Sequence, residues 1–242
     1  MAQELGALQL FFILCAGILP PLVWLWYWLR EDTRRPEPRK LLVITFFFGA
    51  AIVLIPVLPL QALANNMLPS GVFLLLVWAF IEEISKFGVA FFVDFRNKSY
   101  NEPIDAMIYL ITIALGFAAF ENTLFIFKEL NQSGVHISII TALIRFIGAT
   151  LLHVCSSATI GSFVALSYCR SLKDKILFIS TGVILATVIH TLFNFFILSK
   201  GTLEGSGGII SVFSVLWIGV ICLLLFFEKV KQINCKEKIK QA

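Results

Sequence analysis

The stretch from Gly71 to Val93 reads GVFLLLVWAFIEEISKFGVAFFV. It has the length of one membrane-spanning helix, and its midpoint falls on Glu82. Ile81-Glu82-Glu83-Ile84-Ser85-Lys86 therefore sets two carboxyls and an ammonium near the centre of an apolar run. Each charge at mid-bilayer costs roughly 2.5–3.5 kcal/mol on insertion scales. Such a cost is not borne for decoration, and the segment reads first as a functional site.

The rest of the chain has the same membrane character. Of its 242 residues 59% are hydrophobic and only 14% charged, with a mean hydropathy of +0.91. A soluble domain usually carries about 25% charged residues, so this chain cannot cover itself with a wetted surface. Helices satisfy their own backbone in lipid and open strands do not. The fold class expected is all-α: a polytopic integral membrane bundle of about seven transmembrane helices, near 8–29, 41–63, 71–93, 103–127, 136–168, 176–198 and 208–227. Pro20, Pro21, Pro56 and Pro59 are expected to kink the first two spans, because proline lacks the backbone donor. The fifth span is too long for one straight crossing, so His136 to Ile144 is expected to lie along the interface.

Charge placement sets the topology. Of the 19 Lys and Arg, fifteen fall in alternate gaps, two in the intervening ones, and Lys86 and Arg145 lie inside spans. The positive-inside rule then places the N-terminus outside and the C-terminus in the cytoplasm of a cell membrane, plasma or inner. The net charge of +4 follows from these loops, and no nucleic-acid partner is implied. The first apolar run is expected to stay as a span, since its leading residues are not basic and an arginine-rich loop follows it. Short loops and the absence of a repeat predict one membrane domain over residues 1–242, with a motif-bearing core near 71–198 and a basic cytoplasmic tail at 228–242. The five cysteines show no C-x-x-C pair, so a thiolate zinc site is not indicated.

Few other polar groups lie deep, and they recur at helical spacing. Glu82 and Lys86 are four residues apart and Glu83 and Lys86 three, so both carboxyls can reach the ammonium. Glu121 and Asn122 lie on the fourth span, Arg145, His153 and Ser157 on roughly one face of the fifth, and His190 and Asn194 one turn apart on the sixth. At about 1.5 Å per residue, Glu82 lies about 16 Å from the external end, Glu121 about 9 Å, and His153 and His190 about 12 Å. Four helices thus present acid, amide and imidazole at similar depth, as one buried polar site would require.

These residue types suit hydrolysis. A carboxylate shielded from water can take a proton from a water molecule near neutral pH, and a second carboxyl or a lysine beside it tunes that base. Imidazole and amide groups can hold a metal ion or stabilise an oxyanion, and glutamate with two histidines is a recognised catalytic zinc set. There is no H-E-x-x-H, no G-x-G-D pair and no buried G-x-S serine, which excludes other intramembrane protease classes.

At these residues the chain resembles the PrsW family of intramembrane proteases and, more distantly, the CAAX prenyl protease and bacteriocin-processing superfamily. Glu82-Glu83-Ile84-Ser85-Lys86 is similar to the EExxK motif. Glu102-Pro103-Ile104-Asp105 with Gly116-Phe117-Ala118-Ala119-Phe120-Glu121-Asn122 is similar to the second, Arg145 and His153 followed by Gly161 to the third, and His190-Thr191-Leu192-Phe193-Asn194 to the last. The resemblance implies an endopeptidase that cuts membrane-anchored proteins, anti-sigma factors among them, through a glutamate-activated water; the depth of the polar cluster places the expected cut near the outer membrane surface. The catalytic set it implies is Glu82, Glu83, Lys86, Glu121, His153, His190 and Asn194. Glu82 or Glu83 would be the base, with Lys86 tuning it and Asn194 assisting the oxyanion. Glu121, His153 and His190 would orient water or bind a metal, Zn2+ if any. Glu121 stands where the prenyl proteases carry histidine, which speaks against prenyl-peptide substrates.

Each group also has a plainer reading. Glu82, Glu83 and Lys86 could be a neutralised ion pair, and the histidines satisfied core residues. Asp105 reads as a structural residue, a helix-start or loop contact. The rival of a different class is a proton- or ion-coupled carrier using the same carboxylates and histidines, although the paired Gly/Pro-interrupted repeats of carriers are missing.

Overall fold

The computed structural model of the chain describes residues 6–32, 35–198 and 206–233, without the side chains of 197–198 and 206–213. Among the described residues all regular structure is helical. The first helix, α1 (Ala7–Leu29), passes through Pro20 and Pro21 without a break. The second span is α2 (Arg39–Ile52) and α3 (Leu58–Met67), joined by a π-turn at Val53–Val57 that contains Pro56. A proline ring collides with the carbonyl four residues back, and widening the turn relieves that clash. The central segment forms α4 (Val72–Val89) and ends in a second π-turn at Ala90–Asp94. Then come α5 (Asp105–Ser133), α6 (Val135–Ser167), α7 (Leu172–Leu198) and α8 (Ser206–Lys231). The long fifth span, His136 to Ile144 included, is a single helix of 33 residues, α6.

Five of the described helical stretches are long and apolar enough to cross a membrane: Ala7–Leu29, Arg39–Met67, Asp105–Ser133, Val135–Ser167 and Leu172–Phe196. Large apolar side chains such as Leu8, Phe47, Ile55 and Phe92 point outward, as a lipid-facing surface requires. The chain is a multi-pass membrane protein.

The bundle is built around α5. Its residues from Asp105 to Ala119 are all buried, because α1, α2 and α6 pack around it. Lipid gives helices no hydrophobic reason to associate, so contact depends on close fit. Glycine supplies that fit: a Cβ on Gly116 would lie 2.0 Å from the Phe46 carbonyl oxygen, and one on Gly49 would lie 2.3 Å from that of Ile113. On the other flank α7 packs against α6 and α4.

One end of the bundle, here the proximal end, gathers the basic loops. Arg35 pairs with Glu102 at 3.5 Å and Lys231 with Glu31 at 2.7 Å, while Tyr100 and Tyr168 meet edge to face. There Asp105, the first residue of α5, accepts the backbone N–H groups of Asn101 and Glu102, the loop contact of its two expected structural roles. The turns between α3 and α4 and between α5 and α6 lie at the opposite, distal end.

Candidate active site

On α4, Glu82, Glu83 and Lys86 are 4%, 0% and 0% exposed. Adjacent positions on a helix differ by about 100° in direction, and the two glutamates have different surroundings. Glu83 is saturated. Its Oε1 accepts from Lys86 Nζ at 2.8 Å, Ser156 Oγ at 2.9 Å and His190 Nδ1 at 2.9 Å, and its Oε2 from Ser157 Oγ at 3.1 Å. Glu82 is only half satisfied. Its Oε1 accepts from Gln61 Nε2 at 2.8 Å, while Oε2 is buried with no hydrogen-bond partner. That free oxygen faces His190 Nε2 at 3.6 Å and His153 Nδ1 at 4.0 Å.

Hydrogen bonding defines the tautomers. A lysine ammonium can only donate, so His153 Nδ1 accepts from Lys86 Nζ at 3.0 Å. Its Nε2 then carries the proton and donates to Glu121 Oε2 at 3.0 Å. His190 likewise gives its Nδ1 proton to Glu83, which leaves the Nε2 lone pair toward Glu82. Each imidazole is therefore held by one carboxylate; His190 keeps a free Nε2 lone pair toward Glu82, while the Nδ1 of His153, on the same side, is taken by the Lys86 ammonium. Carboxylate-oriented imidazoles of this kind are the usual support of metal-binding histidines.

The remaining charges close the site. Lys86 Nζ lies 4.4 Å from the centre of the Phe117 ring, a favourable contact for a buried cation. Arg145 donates to Glu121 Oε2 at 2.6 Å and to Asn122 Oδ1 at 2.7 Å, and Asn122 donates to Thr150 at 3.0 Å. Asn194, one turn beyond His190, is half-buried and stands outside this network.

One ligand atom each of Glu82, His153 and His190 lie within 4.8 Å of one another, which makes these three a potential metal site among the described residues. Donors about 2.1 Å from a tetrahedral zinc are roughly 3.4 Å apart, against 3.6 and 4.0 Å from Glu82 Oε2 to the two imidazole nitrogens and no more than 4.8 Å within the trio. The unsatisfied Glu82 Oε2 and the free Nε2 of His190 fit such an ion, and His153 joins them if its Nδ1 exchanges the Lys86 ammonium for the metal. Sequence reasoning had grouped Glu121 with the two histidines as ligands. Here the carboxylate at ligand distance is Glu82, and Glu121 reaches the centre only through His153.

Two contributors were not read from the sequence. Gln61 on α3 orients Glu82, and Ser156 supplies a donor to Glu83. An amide inside an apolar span was the available signal for Gln61. Ser156 carried none, because small hydroxyl residues are common wherever membrane helices pack.

The model of the PrsW family intramembrane metalloproteases matches residues 37–225. Among curated relatives, the Protease PrsW of Geobacillus kaustophilus is 30% identical over 138 residues, covering 56% of this chain and 59% of the relative. That of Bacillus subtilis is 23% identical over 189 residues, covering 77% and 83%. That of Clostridioides difficile is 26% identical over 193 residues, covering 75% and 77%. The chain thus spans between about half and three fifths of the length of the first relatives it matches. No solved structure matches it significantly. The family match covers most of the bundle and every residue of the buried cluster, and the chain belongs to the PrsW family.

Proposed function

We propose that this protein is an intramembrane endopeptidase whose buried cluster hydrolyses peptide bonds of membrane-anchored proteins. The observation that carries the reading is the Oε2 of Glu82: a buried carboxylate oxygen with no donor, facing two imidazole nitrogens. Gln61 holds the other oxygen and so aims this one. Glu82 takes a proton from water as its oxygen attacks the scissile carbonyl carbon. The carbon–nitrogen bond then breaks, and the amine leaves with a proton returned from the same carboxyl. Glu83 holds Lys86 and orients His190, Glu121 orients His153, and Asn194 would assist the oxyanion.

The donor set favours a second version. Glu82, His153 and His190 would hold Zn2+, and zinc bound there supplies an acidified water and a polarised carbonyl. The family's description as metalloproteases and the donor spacing support that version. The proposed setting is a cell membrane with the N-terminus outside and the distal end of the bundle at the outer surface, where the substrate would be cut.

Purified protein in nanodiscs tests both versions by metal content and by cleavage of membrane-anchored peptides. Cleavage by the wild type, lost in Glu82→Gln and His190→Ala, is expected. About one zinc per chain selects the metal version, and activity that survives chelation selects the glutamate version. A folded wild type that cuts nothing, with variants that alter proton or ion flux, would replace the protease with a carrier.

A further inference from the structure

Lys86 does not bond as a plain counter-ion would. Glu82 and Glu83 precede it on α4 at helical spacing, and both are its neighbours. Its ammonium donates to Glu83 Oε1 at 2.8 Å, yet its second hydrogen bond goes to a neutral imidazole, His153 Nδ1, at 3.0 Å. Its remaining side rests on the Phe117 ring, 4.4 Å from the centre. The Oε2 of Glu82 meanwhile stays buried with no donor.

The bond from Lys86 to His153 closes part of the metal site. Glu82 Oε2 and His190 Nε2 are open, while His153 Nδ1 is capped by the ammonium. A neutral imidazole has one acceptor nitrogen, so the lysine N–H and a metal ion need the same lone pair. Lys86 also brings a positive charge to the edge of the place a divalent cation would take, and like charges repel strongly away from water. The ammonium can leave His153 without being stranded, because it keeps Glu83 and the Phe117 face. The ring of His153 stays oriented throughout, since Glu121 holds its Nε2 proton at 3.0 Å.

We propose that Lys86 is a built-in competitor of the metal ion, which caps His153 Nδ1 in the metal-free protein and gives up that one hydrogen bond when a nitrogen–metal bond replaces it. This inference deepens the metal version of the proteolytic reading and rests on it. Lys86 thereby lowers the affinity of the site and holds His153 in place while the site is empty. Its exchange is confined to one contact out of three, so the rest of the cluster keeps its hydrogen bonds.

Zinc affinity of the purified full chain in nanodiscs tests the exchange, measured by competition with a chelating dye and without any peptide. Lys86→Met is expected to tighten zinc by about 10–100-fold, the usual reach of a group that bears on a metal ligand. In a His153→Ala background that gain is expected to shrink, because the charge repulsion is still relieved but no competition is left to remove. An unchanged or weaker affinity in Lys86→Met overturns the proposal. So does a gain of the same size with and without His153, to within about twofold, the usual additivity error. Lys86→Gln, which keeps a donor for Glu83, repeats the comparison if Lys86→Met does not fold. The wild type supplies a second readout that needs no change at Lys86. The chain has three histidines, His136, His153 and His190, so nitrogen NMR of isotope-labelled histidine resolves each ring, with His153→Ala as the assignment. Zinc is expected to shift His153 Nδ1 and His190 Nε2 and to leave the proton on His153 Nε2. A zinc-bound spectrum in which His190 shifts and His153 does not overturns the exchange. Cleavage of membrane-anchored peptides is read separately. Exchange without cleavage keeps the competitor and removes the protease. Cleavage by a folded protein that binds no zinc, with or without Lys86, keeps the protease and removes the competitor.

Discussion

The two adjacent glutamates differ in what surrounds them, and that difference predicts opposite phenotypes. Glu83 accepts four donors and neutralises a lysine that is itself 0% exposed. Glu83→Gln leaves that ammonium short of its counter-charge, and breaking a buried pair in this way costs about 3–5 kcal/mol. Glu82 has one oxygen with no donor to lose. Glu82→Gln is expected to change stability by less than about 1 kcal/mol, within the range of a single hydrogen bond. It is also expected to lower activity by about 10²–10⁴, the usual worth of a general base. Thermal unfolding in detergent beside peptide cleavage reads both effects. Equal destabilisation by the two substitutions would sink the division of labour. The sequence made both residues candidates but could not separate them, because both reach Lys86 at helical spacing. Their roles depend on Ser156, Ser157, His190 and Gln61, which arrive from three other helices.

At the scale of the helices, the site stands where it does because α5 is gripped closely on several sides. Gly116 and Gly49 let α2 approach α5 to backbone contact. Gly116→Ala would drive a methyl group into the Phe46 carbonyl at 2.0 Å. A loss of about 1–3 kcal/mol is expected from such overpacking. Gly88 on α4 is the control, because nothing lies within 4 Å of a Cβ built there. Gly88→Ala is expected to be neutral or stabilising by up to about 1 kcal/mol, the helix-propensity gain. Parallel melting curves check the pair, and a Gly116→Ala protein as stable as wild type would contradict the close-packing account. Apolar runs announced every one of these helices. The π-turn at Val53–Val57 was legible only as a proline, and the π-turn at Ala90–Asp94 carried no signal.

Across the whole molecule, the proximal end is locked by polar contacts among distant loops. Glu37, in the loop before α2, is buried beneath them and accepts a hydrogen bond from the Tyr109 hydroxyl. Burial pushes its carboxyl up to about 8, with the charges of Asp105 and Asp32 adding to the shift and the Tyr109 hydroxyl opposing it. A carboxyl raised on folding binds its proton more tightly in the folded state than in the unfolded one. Its contribution to stability is therefore complete below the ordinary value near 4.5 and is lost as pH rises through about 8. The midpoint of thermal unfolding is expected to fall between about pH 5 and 8 and to level off above that, and Glu37→Gln to flatten that slope. An identical slope in the variant would show that Glu37 does not carry the dependence.

The sequence by itself determined the class of the molecule, the order of its spans and the ionisable residues that meet in the buried cluster, though not Gln61 or Ser156 beside them. Each of these follows from local facts: apolar length, the cost of charge in lipid, and the spacing of polar groups along one helix. Tertiary structure alone decided that Glu82 rather than Glu121 meets the two histidines, that Glu83 is saturated, and that Gln61 aims the carboxylate. Those outcomes depend on how far each helix is rotated and how closely it approaches its neighbours. Rotation and approach are settled by glycine contacts and hydrogen bonds between residues as far apart in the chain as Glu83 and His190, and no spacing within a single helix encodes them.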